Sequence, residues 1–331
     1  MDRRDFLRNA ARLGLGGGAA YLLGGGSVRL FAQAATAGSG TGSLSATDTG
    51  KSTTSGKPSS ATRQPDLVAV KGGEAEALFD AGIVALGGMG AFVRKGQTVV
   101  IKPNIGWAQA PEVAANTNPK LVKRIIEHCL NAGAKKVYVF DNSCDSWTLS
   151  YRNSLIEKYA KEAGAEVVPP DSSGYYQEVS FPGAVSLKMA RIHELVVESD
   201  VFINVPVLKN HSGAGMTAAM KNLMGMVWDR QFFHRYNLDQ CIADACLFRK
   251  PDLNVIDAYK VMKTGGPRGY SSSVYDLAKF QILSTDIVAA DAAASRTLGF
   301  EPSRFRYIRM ASDKKSGQMD LSKLDILRLT I

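Results

Sequence analysis

The chain predicts an α/β fold: a mostly parallel sheet with helices on both faces and a ligand cleft at the carboxyl ends of the strands. Three observations carry this. Short runs of β-branched residues, such as Thr98-Val99-Val100-Ile101 and Val201-Phe202-Ile203-Asn204-Val205, are mostly apolar, as strands covered on both faces should be. Stretches of helical periodicity alternate with them. Polar residues cluster just after the strands, where open α/β sheets bind ligands.

The elements follow in order. Leu67–Val70 is a short strand ending at Gly72-Gly73, and Ala75, Leu78, Phe79, Ile83 and Leu86 share one face of a helix. Thr98–Ile101 is a buried strand halted by Pro103. Asn118-Pro119 opens a helix carrying Leu121, Ile125, Ile126 and Leu130, and Gly133 ends it. Lys136–Phe140 is a strand, residues 151–163 a helix, and Glu166–Val168 a strand. Residues 171–190, with Gly174, Pro182 and Gly183, read as an inserted hairpin or loop. Val201–Val205 stops at Pro206; Leu253–Asp257 and Gln281–Thr285 are further strands, the latter followed by a helix from Ile287 to Leu298.

The chain has 331 residues and a formal charge of +9, with 40 Lys and Arg against 31 Asp and Glu. Residues 1–34 read as a twin-arginine export signal. Arg3-Arg4 precede Phe6-Leu7, a Gly/Ala-rich weakly apolar stretch follows, and Ala32-Gln33-Ala34 is an A-x-A cleavage pattern. The competing reading is a retained membrane anchor. Export implies the twin-arginine translocase as a partner, a periplasmic or otherwise exported location, and cargo that folds before transport. Residues 35–65 are almost all Ser, Thr, Gly and Ala, a composition that cannot offset the cost of ordering, so they read as a flexible linker. The folded domain is then 66–331. Discounting the leader leaves a charge of +6 without any run of five Lys or Arg, which removes most of the support for nucleic-acid binding.

Several segments of this body form a set: Ile101-Lys102-Pro103-Asn104, Asn116-Thr117-Asn118-Pro119, Asn204-Val205-Pro206 with Lys209 and His211, Met220-Lys221-Asn222-Leu223-Met224-Gly225, and Gly265-Gly266-Pro267. Together and in this order they resemble the domain-of-unknown-function family 362, over about residues 66–310. The resemblance implies an α/β domain of unestablished reaction, distantly similar in layout to nickel-dependent lactate racemase-type proteins. Some relatives look fused to ferredoxin-like iron–sulfur modules. This chain's four cysteines, at 129, 144, 241 and 246, have no C-x-x-C spacing, so no ferredoxin-type motif is expected here.

The candidate site residues follow from their chemistry. Lys102 ends an apolar strand beside Asn104 and Trp107, where an ammonium can hold a carboxylate or phosphate. Lys209 and Lys221 form a second cationic pair, separated by Gly213 and Gly215. Thr217 to Met226 reads as a helix that Thr217 would cap, and a helix start beside two cations suits an anion. Asn104, Thr217, Asn222, Gly265 and Gly266 would complete the ligand site. His128 and His193 read as structural residues of amphipathic helices. His211 and His234 fall in polar, loop-rich segments suited to general acid–base work or metal ligation. Asp141 and Asp257 each follow a strong strand and could bind a divalent metal or merely cap a turn; Asp244 is a further possible ligand. Cys241 and Cys246 read as thiols on a helix. No G-x-S-x-G elbow appears.

The reading leans to an exported enzyme acting on an anionic small molecule. Lys102, Lys209 and Lys221 would hold negative charge, Asn104 and Asn222 would orient the ligand, and His211 or His234 would move protons. The alternatives are a non-catalytic periplasmic ligand- or cofactor-binding protein and a redox-associated protein.

Overall fold

The computed structural model describes residues 64–331; the leader and nearly all of the linker lie outside the described residues. The chain runs β1 (Leu67–Lys71), α1 (Ala75–Ala85), β2 (Thr98–Pro103), α2 (Pro119–Asn131), β3 (Lys136–Val139), α3 (Trp147–Asn153), α4 (Ile156–Glu162) and β4 (Glu166–Val167). A hairpin of β5 (Tyr176–Ser180) and β6 (Met189–His193) leads to α5 (Glu194–Glu198), β7 (Val201–Val205), β8 (Val207–His211), β9 (Gly215–Thr217) and α6 (Ala219–Asn222). Then come α7 (Gln231–Arg235), α8 (Leu238–Ala245), β10 (Leu253–Met262), β11 (Tyr275–Asp276), β12 (Phe280–Ser284), α9 (Ile287–Thr297), α10 (Arg306–Asp313) and β13 (Ile326–Thr330).

The central sheet has the order β13-β1-β12-β10-β7-β2-β3-β4, with β8 and β11 also on β10 and β9 on β8. From β4 to β7 and on to β10 the neighbours are parallel. Antiparallel β12 separates β10 from β1, and β13 closes the edge parallel to β1. The strands are apolar on both faces because each face builds a core. Val99, Ile101, Val137, Val139 and Ile203 pack with Leu78, Phe79, Ile83, Leu121, Ile125 and Ile126 of α1 and α2 on one side. Val100, Phe202 and Ile256 pack with α8, α9 and α10 residues such as Ile242, Val288 and Ile308 on the other. Helix α2 begins as its sequence demands: Pro119 stands in the first turn and the Asn118 side chain accepts the Lys120 N–H.

Four expectations need correction. The 151–163 helix is two helices, α3 and α4. The Ser154 hydroxyl bonds the Tyr151 carbonyl and Leu155 takes a left-handed φ of 60°, which ends one helix and starts the next. Pro206 interrupts the chain for one residue only; β8 resumes, so Lys209 and His211 lie on a strand rather than in a loop. His193 is not helical: it ends β6, is buried, and its Nδ1 caps α5 by accepting the Leu195 N–H. Thr217 does not cap a long helix. It is the buried last residue of β9, and α6 is a single turn whose buried first amides are answered by the Asp291 side chain, which accepts from Ala219 and Met220. The acceptor at that helix start is thus the protein's own acid, whose burial pushes it up to about 8.

Candidate functional site

The carboxyl ends of β2, β3 and the β7–β8 strand pair meet along one edge of the sheet, and the site is built there. Lys102 on β2 faces Asn204 on β7 in register. Its side chain is fully buried, and its ammonium lies 2.7 Å from Asp141 Oδ1, just beyond β3. Asp141 Oδ2 accepts the Ile105 N–H at 2.7 Å. Gly225 lies directly on this ion pair. A Cβ on Gly225 would sit 1.9 Å from Asp141 Oδ1 and 2.8 Å from Lys102 Nζ, so the residue type follows from the close approach. Lys102 therefore secures Asp141 and does not itself line the cavity.

Lys209 reaches inward from β8. Its ammonium donates to Asn104 Oδ1 at 3.0 Å and to the Ala115 carbonyl. Asn104 Nδ2 donates to Asn222 Oδ1 at 3.1 Å, and Asn222 Nδ2 donates to the Lys102 carbonyl and to Asn204 Oδ1. The two asparagines hold each other and Lys209 in place, and every polar atom of the Asn222 amide is engaged by protein. Lys221, 6% exposed, sends its ammonium to the Met224 thioether at 3.0 Å. A thioether is a weak acceptor, so among the described residues this buried amine has no oxygen partner. The Arg230 guanidinium bonds the Asn142 carbonyl. Among the described residues, no carboxylate makes an ion pair with Lys209, Lys221 or Arg230. Asp141, the acid that lines this site, is answered by Lys102.

Two connected cavities open here. An inner one of about 30 Å³ is lined by Asn104, Lys209, Thr217, Asn222, Asp141 and Gly225. An outer one of about 670 Å³ is lined by Asn142, Ser212, Gln231 and His234. Trp107, Cys144, His211, Lys221, Met224, Arg230 and Pro267 line both and form the neck between them.

Burial sets the protonation of this neck. It pulls Lys209 down to about 7, with the neighbouring Lys221 adding to the effect and Cys144 opposing it. Burial also pulls Lys221 to about 7, aided by Arg230 and Lys102. His211 falls to about 3, through burial first and then through Lys221 and Lys209. Its Nδ1 accepts the N–H groups of Gly213 and Ala214 at 3.0 and 3.1 Å. The neutral ring must then carry its proton on Nε2, so His211 presents an N–H donor. His234, exposed on α7, lies with its ring near-parallel to His211 at 6.5 Å and is also shifted down, chiefly by burial.

The lysine values carry a stability prediction. An ordinary lysine in the unfolded chain stays protonated to about pH 10.4, whereas Lys209 and Lys221 release their protons near 7 in the fold. Between these limits the unfolded state binds more protons, so folding free energy becomes more favourable as pH rises. The ligand-free protein should gain on the order of 2–4 kcal/mol between about pH 7.5 and pH 9, both lysines contributing. The gain should vanish in the double variant Lys209→Met, Lys221→Met, as read by denaturant melts.

The remaining candidates lie elsewhere. Asp257 is inside β10 rather than at its end, and its oxygens accept the Asn118 and Tyr259 N–H groups. It lines a different cavity, of about 360 Å³, with Tyr259 and Lys260. Asp244 accepts three consecutive amides, Val185 to Leu187. Among the described residues no three His, Cys, Asp or Glu side chains converge in a metal-binding group. Gly265 takes a φ of +76° and the Gly266–Pro267 peptide is cis. A Cβ at Gly266 would strike the Asn210 carbonyl at 1.8 Å, so this loop packs on β8, and Pro267 is the part of it that reaches the cavity. All four cysteines are free thiols; Cys144 alone among them is exposed. Sequence reasoning passed over Cys144, Arg230, Met224 and Pro267 as site residues. Cys144 was within reach of the strand-end rule, three residues past Asp141. Arg230 offered no signal beyond being a charge after an apolar segment.

The fold and site define an α/β protein with a cationic cleft at its strand ends. A model of the family described as "Domain of unknown function (DUF362)" matches residues 99–296, and the chain belongs to that family. It is 25% identical over 228 residues to the thylakoid-associated protein sll1697 of Synechocystis sp., covering 64% of this chain and 70% of that one. Among solved structures, it is similar to the lactate racemase apoprotein from Thermoanaerobacterium thermosaccharolyticum, with a TM-score of 0.39 and 13% identity over 60% of this chain and 51% of that one. A Thermotoga maritima protein solved by structural genomics gives a TM-score of 0.36 and 10% identity over 72% and 59%. The chain thus spans between half and two thirds of each solved structure.

Proposed function

We propose that this protein is an enzyme acting on an anionic small molecule held in the cleft between β2, β3 and β8. The observation that carries the reading is the buried Lys221 ammonium, which among the described residues has no oxygen partner, beside Lys209 and Arg230, which have no ion-paired carboxylate among them either. Burying an ion without a counter-ion costs several kcal/mol. Such a cost is offset when an anionic ligand supplies the missing charge.

The roles divide by protonation. Arg230, a planar guanidinium with several donors, attracts the ligand. Lys209 and Lys221, near 7, exchange a proton at neutral pH and suit general acid–base work better than an ordinary lysine. His211 donates from Nε2 to a ligand oxygen, and His234, on the outer wall, is the histidine free to relay protons to solvent. Asn104 and Asn222 hold the lysines. A non-catalytic ligand-binding protein needs the same charge but no proton-exchanging group. We read the leader as directing the folded protein through the twin-arginine pathway.

The test is calorimetric titration with inorganic phosphate, acetate and phenylacetate at about pH 7.5. A bound anion restores the lysines toward their ordinary values, so binding should take up protons, and the apparent enthalpy should depend on the buffer's ionisation enthalpy. Buffer-independent enthalpy, or binding unchanged in Lys221→Met, would remove the reading.

A further inference from the structure

The two cavities differ about twentyfold in volume, and this difference bears on what kind of anion fits. This rests on the cationic-cleft reading above. A single water needs on the order of 10–15 Å³ of such space. The inner cavity, about 30 Å³, therefore accepts two or three atoms the size of water oxygens. The planar carboxylate group has three heavy atoms; a tetrahedral phosphoryl or sulfonyl group has more, and spreads them in three dimensions. The inner cavity also cannot widen easily. Its walls are the buried strand residues Lys209 and Thr217, the engaged Asn222 amide, and Gly225 seated on the Lys102–Asp141 pair.

The donors match a flat two-oxygen head. Lys209 stands inside the small cavity, while Lys221 and the Nε2–H of His211 stand at the neck. The outer cavity is of a different character. At about 670 Å³ it falls within the range of sites that hold a whole small organic ligand. Its neck carries Trp107, Met224 and Pro267, the apolar side chains that would cover a carbon skeleton. Arg268 lies 5.8 Å from the Trp107 ring centre and is held toward Asp145, 3.6 Å away, which steadies that wall from outside.

We propose that the substrate is an organic carboxylic acid, inserted carboxylate first, with its carbon body against Trp107 and Met224 in the outer cavity. Tetrahedral oxyanions and phosphate esters fit the inner cavity less well, by size and shape rather than by charge.

Four probes separate the possibilities on the full folded domain: acetate, phenylacetate, phenylphosphonate and inorganic phosphate, each titrated into wild type, Lys221→Met and Trp107→Ala. Phenylacetate should bind roughly tenfold or more tighter than acetate, because its ring removes apolar surface from water. It should also bind at least tenfold tighter than phenylphosphonate, which shares the ring and differs in the head. Trp107→Ala should erase the advantage of phenylacetate over acetate. If phenylphosphonate or phosphate binds as well as phenylacetate, and does so through Lys221, the carboxylate assignment is wrong while the cationic cleft stands. If none of the four binds through Lys221, both fall.

Discussion

Replacing Lys221 by Met lowers the affinity for small organic anions by a factor on the order of 100, and it raises the stability of the ligand-free protein. Both effects follow from the same side chain. Lys221 is buried, and its ammonium rests on the Met224 thioether with no ion pair to a carboxylate among the described residues. Truncating one member of a buried charge pair typically costs 2–5 kcal/mol in binding, and about 2.7 kcal/mol corresponds to that factor. Without the anion, however, the ammonium is an uncompensated buried charge. Met fills nearly the same volume and carries no charge to desolvate. Titration calorimetry reads the first effect and chemical denaturation the second. A variant that loses both binding and stability would show that Lys221 is a structural residue, and a variant that keeps full binding would show that the anion lies elsewhere.

Gly225→Ala is the second large effect, and it acts on the scaffold. The new methyl would overlap Asp141 Oδ1 and press on Lys102 Nζ, at a point where neither can retreat. Lys102 is fully buried, and Asp141 is fixed through Ile105. Splitting a buried pair leaves charges unanswered and costs on the order of 3–5 kcal/mol. For a folded unit of this size that corresponds to a fall in Tm of roughly 10 °C. Gly90→Ala serves as the control, since a Cβ there meets nothing within 4 Å and its φ is ordinary; its stability should stay within about 0.5 kcal/mol of wild type. Equal melting temperatures for the two variants would mean that the backbone at Gly225 shifts freely and that the Lys102–Asp141 pair is not a rigid part of the site.

Much of the sheet was legible because its residues answer to local rules. Val99–Ile101 is apolar at every position and Val201–Val205 at all but Asn204, a pattern that a strand covered on both faces produces. The Asn118-Pro119 cap fixed the start of α2 for a reason contained in two residues. What sequence could not supply was non-local. Strand β8 is polar at Lys209 and His211 because it lines the cleft, so its pattern imitates a loop. Strand β13 was not read as a strand at all; its place beside β1 depends on a return of the chain over more than 250 residues. The lysines were placed together by the strand-end rule, and the structure does bring Lys209 and Lys221 to one cavity. Their division of labour was not legible. Only coordinates reveal that Lys102 is bound to Asp141, that Asp257 faces a separate cavity, and that two backbone amides fix the His211 proton on Nε2. Thr217 was misplaced because a Thr before a helical stretch looks like a cap; the true capping acid, Asp291, is 72 residues from the amide it holds.

The central claim is that a cleft of near-neutral lysines takes up an anion. The pH dependence of that binding tests it most directly, measured with phenylacetate, or with inorganic phosphate if phosphate proves the tighter ligand. Lys209 and Lys221 must be protonated to hold the anion, and both titrate near 7 in the ligand-free protein. Above that pH, affinity should fall by about tenfold per unit for each lysine that must regain its proton. Titrations at about pH 7 and pH 9 should therefore differ by at least tenfold, with proton uptake on binding at the higher pH. Equal affinity at the two values, with no proton uptake, would contradict it.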